Sequence, residues 1–259
     1  MRMMKKVLGT VTVLALSVSL LAGCGSTAAS PVSSVASTAA ESTTSSVVSE
    51  TTSAAADENV AAATQLLNDL TGSYQELWPV ILADEYHQTW LDDCTALVGE
   101  ENAEAAFEKL SSMVTGDVYG ENAVKAYANG GGAYFCGFTN GLVTLTFDGE
   151  TSTISGTDKD GNVLFSHTYH YIGMEPVRGL YEFESDDADS GEFTYFFLAP
   201  DTSAETYHIE FRYGSDAEAL SQYDAGEYAY WLASGISTDC DQTMIDNCIE
   251  LFCTENLAG

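Results

Sequence analysis

Apolar positions change their period twice along the chain, and the changes mark out its architecture. Tyr86, Trp90, Cys94 and Leu97 recur at spacings of three and four, as do Ala103, Phe107, Leu110 and Val114. Two amphipathic helices with core-facing stripes are predicted there. Asn129-Gly130-Gly131-Gly132 interrupts the pattern, and from Ala133 the period becomes two. Seven strand-like runs follow, at 133–138, 141–147, 151–156, 163–172, 177–184, 192–198 and 206–213. The turn pairs Asn140-Gly141, Asp148-Gly149 and Asp160-Gly161 fall between the earlier runs and predict hairpins, hence an antiparallel sheet. Helical spacing returns at 216–223 and 241–252, the latter through Met244, Ile245, Cys248, Leu251 and Phe252. The order helices, β-meander, helices predicts a mainly β (α+β) domain. A meander of this length closes into a barrel or folds into a sandwich, because open edges invite aggregation.

The N-terminus reads as an address. Arg2, Lys5 and Lys6 precede an uncharged apolar run over 7–21 that ends in Leu21-Ala22-Gly23-Cys24. A basic start and a short apolar run make a secretory signal, too short and wrongly flanked for a stable transmembrane helix. The ending resembles a bacterial lipobox, which implies cleavage of residues 1–23 and acylation of Cys24. An ordinary cleaved signal is the alternative, and it would leave a freely secreted protein. From Gly25 to Asp57, 24 of 33 residues are Ser, Thr or Ala, with no aromatic residue, Leu or Ile. Such a segment cannot offset the conformational entropy of ordering, so 24–57 is expected to be a disordered tether, with a root-mean-square reach of roughly 30 Å. Residues 58–259 hold all 14 Tyr, all 11 Phe and all three Trp, and form the predicted folded domain. The expected location is the extracytoplasmic face of a bacterial cell membrane, through the lipid.

Composition narrows the partners. With 39 Asp and Glu against 8 Lys and Arg, the formal charge is −31, which repels nucleic acid and anionic membrane surfaces. It attracts cations without selecting among them.

Three stretches together resemble the ZinT family, bacterial extracytoplasmic zinc-binding proteins with a calycin-like (lipocalin-like) barrel. They are the run from Leu67 to Pro79, with Asp69, Gly72, Tyr74-Gln75 and Trp78-Pro79; the run from Asn140 to Phe147; and the run from Val177 to Glu184, leading to Phe193, Tyr195 and Thr206-Tyr207-His208-Ile209. The resemblance covers most of 67–256. It implies an antiparallel calycin-like barrel with N-terminal and C-terminal helices, zinc or another divalent cation as ligand, and delivery to a metal ABC transporter. Members of the family hold zinc with three His. Here Thr206 stands at one of those positions, and the shortened loop before it offers Asp201 in place of another, so that His208 alone remains. The resemblance thus points to His208, Asp201 and Glu210 as an oxygen-rich substitute site.

Alternation along the strand places Thr206, His208, Glu210 and Arg212 on one face, where Arg212 would neutralise Glu210. A hydrated polar strand face is the plainer reading. His167 and His170 are three apart on a strand and cannot chelate one ion together. His87 reads as a surface histidine beside a helix stripe, and the run from Asp186 to Glu192 as a solvated turn, since its Gly and Glu are misplaced for a calcium loop. Once Cys24 is acylated, Cys94, Cys136, Cys240, Cys248 and Cys253 remain, at most two disulfides and a thiol, with the pairing open. No nucleophile elbow, zinc-protease helix or phosphate loop occurs, so the sequence predicts no enzyme. The leading reading is a lipid-anchored metal-binding module. The alternative is the same barrel with a degenerate metal site, binding a small molecule or a protein.

Overall fold

The computed structural model describes residues 58–200 and 208–258. Cys24, the signal, the tether, Asp201 and Thr206 lie outside the described residues. Eight strands form one closed antiparallel barrel in chain order: β1 (Gly72–Glu76), β2 (Thr144–Asp148), β3 (Thr153–Thr157), β4 (Val163–Met174), β5 (Tyr181–Ser185), β6 (Tyr195–Leu198), β7 (His208–Gly214) and β8 (Ala233–Ser237). β1 closes the ring by pairing with both β2 and β8. The expected calycin-like barrel with helices on either side is what forms.

Two strands escape the alternation rule, and one alternating run is not a strand. β1 has a single fully buried apolar position, Tyr74, and β8 is built of Ala, Ser and Gly around Ile236. β8 is small for a reason: a side chain at Gly235 would stand 3.1 Å from Ile209 and 3.3 Å from Phe138. The expected strand at 133–138 is instead an extended segment with isolated bridges from Phe135 to Thr115 and Trp231. It alternates because it lies between two cores, with Phe135 packed against the barrel core and Tyr134 and Cys136 among the helices.

The barrel interior is filled by aromatic and aliphatic side chains from every strand, including Tyr74, Phe147, Phe165, Phe183, Phe196 and Phe211. Helix α1, described over 58–69, adds Ala63, Leu66 and Leu67 to that core. Outside the barrel, a second core joins α2 (Leu77–Ile81), α3 (His87–Val98), α4 (Glu100–Val114) and α7 (Gln242–Leu257) to the outward Ile236. Trp90 is fully buried in it and donates Nε1–H to the Ile81 carbonyl at 2.7 Å. Two shorter helices, α5 (Glu121–Ala128) and α6 (Ala217–Leu220), complete the shell. Asp216 caps α6 through the Ala219 N–H, and Asp241 caps α7 through the Met244 N–H, which satisfies donors that a helix start leaves unpaired.

Candidate functional site

Strand β7 carries the described part of the predicted site. Its side chains alternate, so Ile209, Phe211 and Tyr213 enter the barrel core while His208, Glu210 and Arg212 lie on the outer face. That face is covered by helices. His208 and Glu210 line a cleft with Trp78 and Ile81 of α2 and with Cys248 and Glu255 of α7. The cleft holds about 30 Å³ of free space, room for an ion or a water or two. It is roughly tenfold below what a small organic ligand needs.

Four groups able to ligate a cation therefore border one ion-sized space. The sequence identifies His208 and Glu210. It gives no sign of Glu255, because a helix residue far downstream has no fixed spacing from a strand. Cys248 contributes less than its position suggests: burial, and then the neighbouring Cys240, push its thiol up to about 12, so it stays protonated at neutral pH. Among the described residues no three His, Cys, Asp or Glu side chains are grouped so as to hold a metal ion. His208 and Glu210 alone fall short of the four ligands that a closed zinc site requires.

Arg212 gives its hydrogen bonds to backbone carbonyls. Its guanidinium is fully buried, donates to the backbone carbonyls of Leu220 and Tyr228, and lies 4.3 Å from the centre of the Tyr223 ring. Burial lowers its pKa, with Tyr223 opposing the shift, and the guanidinium remains charged.

The two histidines of β4 also find partners. His167 stacks on Phe165 and meets Asp187 through Nδ1 at 2.8 Å, while His170 meets Asp186 at the same distance. The acidic turn after β5 thus clasps the histidines one by one. His87 sits 3.6 Å from Glu104 and against the Phe107 ring.

A second and larger cleft, about 320 Å³, opens on the other side of Trp78, between Glu76, Leu82, Val114, Phe135 and Cys136. Trp78 Nε1 is buried, makes no hydrogen bond of ordinary geometry among the described residues, and has the Cys136 thiol as a neighbour. Glu76 is committed elsewhere, accepting from the Phe138 N–H at 2.7 Å. Burial, and then the Glu210 charge, push the Cys136 thiol up to about 12.

The chain matches no protein-family model and no curated protein. Among solved structures it is similar to the zinc-bound ZinT-like domain of Streptococcus pneumoniae AdcA, with 16% identity over 71% of this chain and 89% of that one and a TM-score of 0.45. It is also similar to zinc-bound AdcA from the same organism, with 14% identity over 72% of this chain and a TM-score of 0.42. The matched region spans 35% of that longer chain.

Proposed function

We propose that this chain is a non-catalytic binding module, held on the extracytoplasmic face of a bacterial membrane by lipid on Cys24. It takes a divalent cation, zinc foremost, at the β7–α7 cleft and delivers it to a metal ABC transporter. The observation that carries the cation reading is the convergence of His208 and Glu210 on one ion-sized space beside Glu255. Asp201 supplies a further oxygen in this reading. One imidazole and carboxylates make a weak, exchangeable site, more tolerant of harder ions than three imidazoles are.

Calorimetric titration with zinc, cadmium, calcium and manganese at two salt concentrations tests the site. Zinc is expected to bind weakly, and His208→Ala or Glu210→Gln to lower the affinity at least tenfold. Equal binding by wild type and both variants would remove the cleft from consideration. Cys24→Ala tests the anchor, since the variant is expected to leave the membrane fraction and to lack lipid in its intact mass.

The second cleft favours a second reading, in which the barrel's helical flank binds a small apolar molecule. It has the volume that the β7–α7 cleft lacks. Native mass spectrometry of the purified chain, with Leu82→Trp to fill the cleft, separates the two readings. A co-purified organic mass that Leu82→Trp abolishes supports the second.

A further inference from the structure

Helices α3 and α7 bring two cysteines together that the sequence separates widely. Cys94 and Cys253 are both fully buried, and their sulfurs lie 3.9 Å apart. A disulfide needs about 2 Å between sulfurs, so side-chain rotation with a small helix adjustment covers the difference. Each thiol has the other sulfur as its hydrogen-bond partner. Cys136 lies on the β8 side of the same core and bonds weakly to the Tyr134 carbonyl. Cys240 and Cys248 belong to the same helical core.

We propose that Cys94 and Cys253 form a disulfide in the exported protein, tying α7 to α3 and closing a loop that contains strands β2 to β8. The proposal rests on the extracytoplasmic reading for its oxidising surroundings, while the pairing itself rests on the geometry. The chemistry is thiol–disulfide exchange with a disulfide oxidant such as oxidised glutathione. One thiolate of the pair attacks a glutathione sulfur, and the glutathione S–S bond breaks as a mixed disulfide forms. The second thiolate then attacks the mixed disulfide and releases the other glutathione. The two cysteines are oxidised, two glutathione thiols are produced, and the two protons lost by the cysteines end on them.

Both side chains are fully enclosed in the folded domain, so neither sulfur reaches an external disulfide once the core has closed. The bond is therefore set during folding, and the folded protein resists exchange with external thiols. Because α7 supplies Cys248 and Glu255 to the β7–α7 cleft, the same bond fixes one wall of that cleft against the barrel.

Two arms test the proposal. In the first, the full chain recovered from the membrane fraction is alkylated under denaturing conditions and mapped by mass spectrometry. The peptides carrying Cys94 and Cys253 are expected to be linked and to separate on reduction. In the second, purified chain is unfolded, reduced and refolded in a glutathione redox buffer, where no export is required. The same link is expected, and adding reductant before thermal unfolding is expected to lower Tm by about 5–10 °C. Cys94→Ala and Cys253→Ala should each abolish that dependence on reductant, whatever they do to the baseline Tm. Free Cys94 and Cys253 after refolding, or a bond from either to Cys240 or Cys248, overturns the pairing. A link after refolding with free thiols in the cell-derived chain leaves the pairing standing and overturns the claim for the exported protein, and with it the extracytoplasmic reading.

Discussion

Arg212 shows how one side chain can hold a connection together. It is one of five basic residues in 58–259, and its burial is offset by backbone carbonyls at Leu220 and Tyr228 and by the Tyr223 ring. Removing the fork leaves those carbonyls without donors inside the protein, where each unsatisfied group costs about 1–3 kcal/mol. Arg212→Met is expected to destabilise the domain by about 3 kcal/mol, and Arg212→Lys by nearly as much, because an ammonium cannot span both carbonyls. Urea unfolding followed by tryptophan fluorescence measures both. The buried thiols set a second expectation. Cys136 and Cys248 are raised from 9.0 to about 12, first by burial. Their folded-state pKa exceeds the unfolded value, so the stability they contribute is complete below pH 9 and is lost as pH rises towards 12. Thermal unfolding is expected to stay level from pH 7 to 9 and to fall steeply above it. A transition that is flat to pH 11 would show that these thiols open to solvent at little cost.

Among the elements, the hairpins were the most legible. Asp148-Gly149 and Asp160-Gly161 lie where the sequence puts turns, between β2 and β3 and between β3 and β4, and Gly161 takes the left-handed conformation, at φ 78°, that favours glycine there. Helices α3, α4 and α7 were equally clear, because each presents one apolar stripe to the second core. β8 was hidden by its own packing: its inward positions must stay small against Ile209 and Phe138, so it carries no apolar alternation to read. The site was legible only on β7, where His208 and Glu210 share a face. The wall that α7 adds depends on tertiary packing, and the larger cleft depends on where α2 meets the extended segment around Phe135. Gly149 has a role beyond its turn. A Cβ there would stand 2.4 Å from the Asn68 backbone, and its N–H bonds to Thr71 Oγ1 at 3.0 Å. Gly149→Ala is expected to push α1 from the β2–β3 turn and lower Tm by several degrees, with greater protease cleavage near residue 70 as the local signature.

At the scale of the molecule, the question is where the stable unit begins. The sequence places the boundary at 58, on composition alone, and the structure shows what stands just after it. Ala63, Leu66 and Leu67 of α1, with Leu70 behind them, are buried in the same core as the barrel strands. Burying a leucine side chain contributes roughly 1.5–3 kcal/mol, so the three leucines together are worth about 5 kcal/mol or more. A domain's whole stability is only about 5–15 kcal/mol. Removing residues 1–57 deletes no leucine or aromatic side chain downstream of the signal, and the shortened chain is expected to keep its Tm. Extending the deletion to residue 70 removes α1 and leaves apolar side chains of the barrel core without their cover, and that chain is expected to lose its cooperative transition. Circular dichroism melts of the two truncations beside the full chain decide the matter. A fall of several degrees on removing 1–57 would place part of that segment against the domain, and an unchanged melt on removing 1–70 would show that the barrel's own strands close the core without α1.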